Sequence, residues 1–259
     1  MPDDGGRSAV RALLERLEIP PDGVLMVHSA FRQLGRDGFR PDDVLAALVD
    51  YMGAGTLLLP TMSWRYVKPS HPVFDEFETP SNVGILTNLF LERYAERRSL
   101  HPTHSCAARG AATDPLLDGH HLDDTPCSAN SPFGRLMEVD AGILMLGITM
   151  DCCTLIHHVE EIEAIDVYLK PVEETEHYTC RDRDGRAVPV SLRRHLLLHR
   201  NYWQFQDNLA AKGQMQIARL DRTTVRCFRA RDMAEDVTAA LRADPTAVLA
   251  KPGERWRPM

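Results

Sequence analysis

Apolar strands alternating with amphipathic helices predict a single large α/β/α domain with a mixed sheet and a β-rich C-terminal part. Three short, near-continuous apolar runs carry this prediction: residues 23–28, 55–60 and 142–147. Runs of that length and continuity suit strands buried on both faces. The hairpin signals all fall late in the chain, which gives the mixed sheet and the change of texture after about residue 170.

Residues 8–17 have helical spacing, with Val10, Leu13, Leu14 and Leu17 on one side, and Pro20 and Pro21 end the segment. The first strand, 23–28, follows. Pro41 opens a second helix whose first turn holds Asp42 and Asp43, where negative charge suits the helix dipole. The second strand, 55–60, runs into a long loop, 61–80, rich in Trp, Tyr, His and Pro; loops of that length are usually functional or disordered, and the aromatic content favours functional. Helical spacing returns over 82–97, and 106–110 resembles a small-residue strand. Ser131-Pro132 marks a helix start, with serine as N-cap and proline at N1. The third apolar run leads into Asp151 and Thr154, which open a helix carrying His157 and Glu160. Beyond it, 175–192 reads as a hairpin around Asp184-Gly185, 201–212 as a helix, 214–229 as two strands around Asp221-Arg222, and 231–242 as a closing helix.

The 259 residues carry a net charge of −7, which argues against nucleic acid as the main partner because phosphate binding needs a basic face. No apolar stretch is long enough to span a membrane. The opening residues lack the basic and apolar parts of a signal peptide, and the expected location is the cytoplasm. Six scattered cysteines without a Cys-x-x-Cys pair indicate neither a disulfide framework nor a zinc ribbon.

Three segments carry candidate chemistry. The first is Val27-His28-Ser29-Ala30-Phe31-Arg32-Gln33-Leu34-Gly35, a strand end followed by a turn, where backbone N–H groups suit phosphate or pyrophosphate. It is neither a Walker loop nor a dinucleotide fingerprint, and Arg36 and Asp37 break the Arg-x-x-Gly-x-Gly/Ala pattern of the common acetyltransferase superfamily. The second, 98–105, packs Arg98, Ser99, His101, Thr103, His104 and Ser105 into eight residues. The third is the 146–161 segment. His157 and Glu160 are three apart and share a helix face, so a carboxylate lies one turn from a titratable imidazole. That is an acid–base arrangement. Metal ligation by Cys152, Cys153, His157 and His158 is a rival reading, but the spacing matches no standard zinc pattern and no metal is expected. Glu160, Glu161, Glu163, Asp166, Glu173, Glu174 and Glu176 read either as a solvated face or as a cleft that draws a polycation.

Taken in order, these segments resemble the aminoglycoside 3-N-acetyltransferase (antibiotic N-acetyltransferase) family. The family's Val-His-Ser-Ser run to Leu-Gly is matched by 27–35, its Gly-Gly-Thr-Leu-x-Met-Pro-Thr by 54–61, and its Arg-Ser-x-His-Pro-x-x-Ser by 98–105. Ser131-Pro132 matches its helix start. Its closing segment, Leu-Leu-Gly-Val, a turn with Asp, then Asn-Thr-x-x-His-x-x-Glu, is matched by 145–148, Asp151, Cys153-Thr154, His157 and Glu160. Cys153 stands for the usual Asn, and Ala30 for the second Ser.

The resemblance implies an α/β unit distinct from the common GNAT fold, with a coenzyme A and catalytic core over 1–170 and the β-rich part over 171–259. It implies acetyl-CoA as cosubstrate and a cationic small-molecule amine as acceptor. It assigns His157 as general base, Glu160 as its orienter and Asp151 as support. His28, Ser29, Ala30, Phe31, Leu34 and Gly35, with Ser99, His101, Thr103 and Ser105, fall on the coenzyme side. Trp64, Tyr66 and Glu161 are the expected acceptor contacts. A homodimer is compatible with the family. The rival functions are an acyltransferase acting on a different amine, in a biosynthetic or surface-sugar pathway, and a non-catalytic coenzyme A- or metal-binding module.

Overall fold

The computed structural model describes residues 5–254, and the opening Met1–Asp4 of the leader reading lie outside them. In chain order the elements begin with α1 (Gly5–Arg16), β1 (Val24–Ser29), α2 (Arg32–Arg36), α3 (Pro41–Tyr51), β2 (Thr56–Pro60), β3 (Val73–Asp75) and α4 (Ile85–Arg93). Then come β4 (Arg97–Arg98), β5 (Cys106–Gly110), α5 (Thr113–Leu117), α6 (Pro132–Glu138), β6 (Gly142–Leu146) and α7 (Leu155–Tyr168). The chain closes with β7 (Glu176–Arg181), β8 (Ala187–Leu192), α8 (Trp203–Ala211), β9 (Met215–Leu220), β10 (Thr223–Arg229) and α9 (Ala230–Ala243).

The main sheet has seven strands in the order β4-β5-β2-β1-β6-β10-β9. β2, β1 and β6 are parallel, and the flanking pairs are antiparallel, so the sheet is mixed as expected. These central strands are the three apolar runs, and alternate residues feed opposite faces. Met26, Leu58, Ile143 and Met145 face a core built with α6 to α9, which supply Phe133, Leu136, Ile156, Phe205 and Val237. Leu25, Val27, Leu57, Leu59, Leu144 and Leu146 face the other, built with α1 to α4, including Leu13, Leu14, Leu45, Leu48 and Phe90.

The two late hairpins go to different places. β9 and β10 complete the main sheet. β7 and β8 join β3 in a separate three-stranded sheet over Val67, Phe74, Tyr178, Cys180, Val190 and Leu192. β3 lies inside the stretch read as loop and pairs in parallel with β7. The helix expected over 82–97 is shorter, because Gly84 enters it at φ +140° and Tyr94 leaves helical geometry. Arg97 and Arg98 then pair with β5. The Ser131 N-cap forms as expected, its hydroxyl accepting from Gly134 N–H at 3.2 Å. No helix among the described residues is long and apolar enough to cross a membrane.

Candidate active site

The chain passes from β1 to β2 on one side and reaches β6 on the other, so the ends of β1 and β6 form the sheet's topological switch point. Crevices at the carboxyl ends of parallel strands at such a point are where open α/β sheets bind ligands. The two ends are locked together. Ala30 N–H donates to Leu146 O at 2.9 Å, and Gly147 turns away at φ +69°. A Cβ there would sit 2.9 Å from Ala30 O, so this close approach requires glycine. A single 3-10 turn, Met150–Cys152, then delivers the chain into α7. Thr154 takes the N-cap position without a side-chain cap bond. Asp151 lies in that turn, its Oδ2 accepting from Thr149 Oγ1 at 3.0 Å.

The first turn of α7 presents His157 at 21% side-chain exposure above a fully buried Glu160. Nδ1 of His157 lies 2.8 Å from Glu160 Oε2. Glu160 Oε1 accepts from Tyr202 Oη at 2.6 Å and from Arg200 Nε at 2.9 Å. Burial alone would raise the Glu160 carboxyl; the charges and hydrogen bonds of His157 and Arg200 outweigh it and hold the group below the usual range. A carboxylate in that state keeps the proton of a neutral His157 on Nδ1 and leaves the lone pair on Nε2. The ring is held from its face as well: His195 stacks on it at 4.3 Å between centroids, with Tyr202 edge-on at 6.0 Å. Burial, then the neighbouring His157 and His104, pushes His195 well below the usual histidine range.

Glu161 points elsewhere. It was expected at the acceptor, but its carboxylate is enclosed, accepting from Thr125 Oγ1 at 2.6 Å and Cys127 N–H at 2.9 Å. Burial pushes its pKa up to about 8. Other parts of the acidic region are also paired. Glu163 is bidentate to Arg242, and Glu176 meets Lys170 and Arg194. Those two carboxylates are held by cations of this chain, while Asp166 and Glu173 lie exposed, which favours a solvated face over a polycation cleft.

Of the residues expected on the coenzyme side, Ser29, Ala30 and Phe31 are half-buried at the end of β1 and Gly35 is exposed, whereas His28 and Leu34 belong to the interior. Ala30 cannot offer its N–H outward, since Leu146 takes it. The 98–105 cluster is a buried polar network. Ser99 Oγ meets His120 Nδ1 at 2.9 Å and accepts from Cys106 N–H. Ser105 Oγ is shared among Thr61 and Arg98. His101 Nδ1 accepts from the N–H groups of Thr103 and His104, and its ring stacks on His120 at 4.2 Å. Thr103 Oγ1 meets His104 Nδ1 at 2.8 Å. Arg98 ties this network to the small sheet, donating to Thr61 O and packing over Phe74. These side chains brace the interior. Trp64 and Tyr66 stand at 39% and 49% exposure in the turn after β2.

The Cys152, Cys153, His157, His158 set does not assemble. Cys153 is a core residue whose thiol burial pushes up to about 12, and His158 Nδ1 bonds Cys127 O at 2.7 Å. The donor groups that do converge among the described residues are Cys127, Glu161 and His195, and His157, Glu160 and His195. Sequence reading missed Tyr202, Arg200, His195, Thr125 and Cys127. They reach α7 from distant irregular segments, and no local spacing marks them.

Fold and site together define an α/β protein with a hydrogen-bonded His157–Glu160 pair at the switch point of its sheet. The sequence profile of the aminoglycoside 3-N-acetyltransferase family matches residues 26–242, and the chain belongs to that family of acyltransferases. It is similar to the aminoglycoside N(3)-acetyltransferase IV of a Salmonella species, with 29% identity over 254 residues, 95% of this chain and 91% of that one. It is also similar to the aminoglycoside N(3)-acetyltransferase VII of Streptomyces paromomycinus, with 30% identity over 167 residues, which span 58% of each protein. The crystal structure of aminoglycoside acetyltransferase AAC(3)-IVa as apoenzyme superposes with a TM-score of 0.80 at 25% identity, covering 97% of this chain and 94% of that one. A histidine-to-alanine mutant of that enzyme, in complex with a gentamicin, superposes at 0.78 with 26% identity over the same shares of the two chains.

Proposed function

We propose that this chain transfers the acetyl group of acetyl-CoA directly to the 3-amino group of a 2-deoxystreptamine aminoglycoside, with His157 as general base. The observation that carries this is the held imidazole: Nδ1 is 2.8 Å from a buried carboxylate that Arg200 and Tyr202 fix in turn. Family membership and the gentamicin complex of a similar enzyme supply the acceptor class.

An alkyl ammonium has a pKa of about 10.4, so near neutral pH the acceptor must lose a proton to become a nucleophile. The ammonium gives that first proton to solvent; His157 Nε2 takes the second N–H proton as the new C–N bond forms and the thioester C–S bond breaks, which leaves a neutral amide. Glu160 stabilises the imidazolium and holds its plane; the departing thiolate then takes the proton back. General-base assistance of this kind contributes about 10²–10⁴-fold in rate. The thioester supplies the activated carbonyl; orienting and moving the proton falls to this chain. Ser29, Phe31 and Gly35 are the reachable groups on the coenzyme side, and Trp64 and Tyr66 are the proposed acceptor contacts.

The test is thiol release from acetyl-CoA across a panel of aminoglycosides, with the acetylated position assigned by NMR. Turnover of 2-deoxystreptamine compounds with acetylation at the 3-amino group is expected. Turnover confined to amines lacking that ring would replace this reading with an acyltransferase for a different amine.

A further inference from the structure

We propose that Cys127, Glu161 and His195 form a binding site for a divalent transition metal, with Zn²⁺ the best-fitting ion, directly behind the imidazole of His157. The three residues come from separate parts of the chain: the loop before α6, the second turn of α7 and the segment after β8. Their sulfur, carboxylate oxygen and ring nitrogen all lie within 4.8 Å of one another. Thiolate, carboxylate and imidazole are the donor types that zinc takes, and three protein ligands leave a fourth position open.

The state of these groups points the same way. Both ring nitrogens of His195 are buried without a hydrogen-bond partner. Its Nε2 lies 2.8 Å from Glu161 Oε1 but off the line a hydrogen bond needs. Among the described residues no lysine or arginine pairs with Glu161, and its one basic neighbour is this imidazole. Outer contacts already orient the donors. Thr125 Oγ1 and Cys127 N–H hold the Glu161 carboxylate, and His158 Nδ1 meets the Cys127 carbonyl. Such contacts fix ligand orientation in metal sites. The overlapping group with His157 and Glu160 is the poorer site, because Glu160 is engaged by Arg200 and Tyr202.

Binding would release the Cys127 thiol proton and, below about pH 8, the Glu161 proton as well, so affinity rises with pH. His195 stacks on His157 at 4.3 Å between centroids, so a metal bond at His195 would fix the ring that packs against the proposed base.

The experiment is titration of the metal-free full chain with Co²⁺, followed by thiolate-to-cobalt charge-transfer absorption, with Zn²⁺ as competitor; it reads binding independently of acetyl transfer. One equivalent of Co²⁺ should produce the band, and one of Zn²⁺ should abolish it. Cys127→Ser should lose the band, Cys152→Ser should keep it, and His195→Ala should weaken binding more than about 10-fold. One equivalent of Zn²⁺ should also raise the unfolding midpoint of the unmodified chain, and Glu161→Gln should abolish that rise. Absence of the band in the unmodified chain, or its persistence in Cys127→Ser, overturns the proposal. If Cys127→Ser does not fold, the midpoint shift decides: no rise with Zn²⁺, or an undiminished rise in Glu161→Gln, is equally fatal.

Discussion

Glu160 is fully buried 2.8 Å from Nδ1 of His157, and its second oxygen is held by Tyr202 and Arg200. One carboxylate therefore orients a partly exposed imidazole and is itself fixed from two sides. Replacing it with the isosteric amide keeps the shape and removes the charge that stabilises the imidazolium. Glu160→Gln should lower kcat about 10²-fold with little change in KM, because the lost interaction strengthens only as the proton arrives. Steady-state kinetics with a saturating acceptor checks this; an unchanged kcat would remove Glu160 from the mechanism.

Arg200 has the complementary role. Its side chain is 8% exposed and is the cation paired with the buried Glu160. Arg200→Ala strands a charge in the interior and should cost about 3–5 kcal/mol in urea unfolding. Arg200→Ala combined with Glu160→Gln should recover much of that loss, since the stranded charge is gone. Strict additivity of the two changes would contradict the pairing.

The buried histidines should make the fold acid-labile. Burial lowers the pKa of His28 to about 4 and that of His120 to about 3. At pH above about 6.5 these residues are neutral both folded and unfolded and cost nothing. As pH falls below 6.5, the unfolded chain takes up protons that the folded one refuses, so stability falls until the folded pKa is reached. For His28 the loss between pH 6.5 and about 4 amounts to about 3 kcal/mol at 1.36 kcal/mol per unit. Urea unfolding across this range should show stability rising with pH, and His28→Gln should flatten the slope.

Gly147 joins β6 to the turn that enters α7, with φ +69° and no room for a Cβ beside Ala30 O. Gly147→Ala should destabilise the fold by about 1–2 kcal/mol from the left-handed conformation alone. The close contact should also spread the ends of β1 and β6. Activity should therefore fall further than stability, measured as kcat and unfolding midpoint on the same sample.

Much of this was legible in the chain. The three apolar runs are the central parallel strands because burial on both faces leaves no polar alternation to hide them. The His157–Glu160 pair was readable because both lie on one helix, three residues apart. Residues 98–105 were legible as a dense polar cluster but not as an interior one. Composition cannot distinguish a solvated loop from a network in which each hydroxyl is taken by the protein, as those of Ser99 and Ser105 are. β3 was hidden because three residues carry no period and form a strand only when β7 arrives from a hundred residues later. Arg200, Tyr202 and His195 were hidden for the same reason: their link to α7 is spatial.

The central claim is that His157 moves the acceptor proton. The most direct measurement is acetyl-CoA turnover with a 2-deoxystreptamine aminoglycoside by His157→Ala beside the unmodified chain, with unfolding midpoints recorded to confirm that both are folded. The account predicts a kcat at least about 10²-fold lower at an unchanged midpoint. A variant that retains acetylation within a few-fold of the unmodified chain would contradict it.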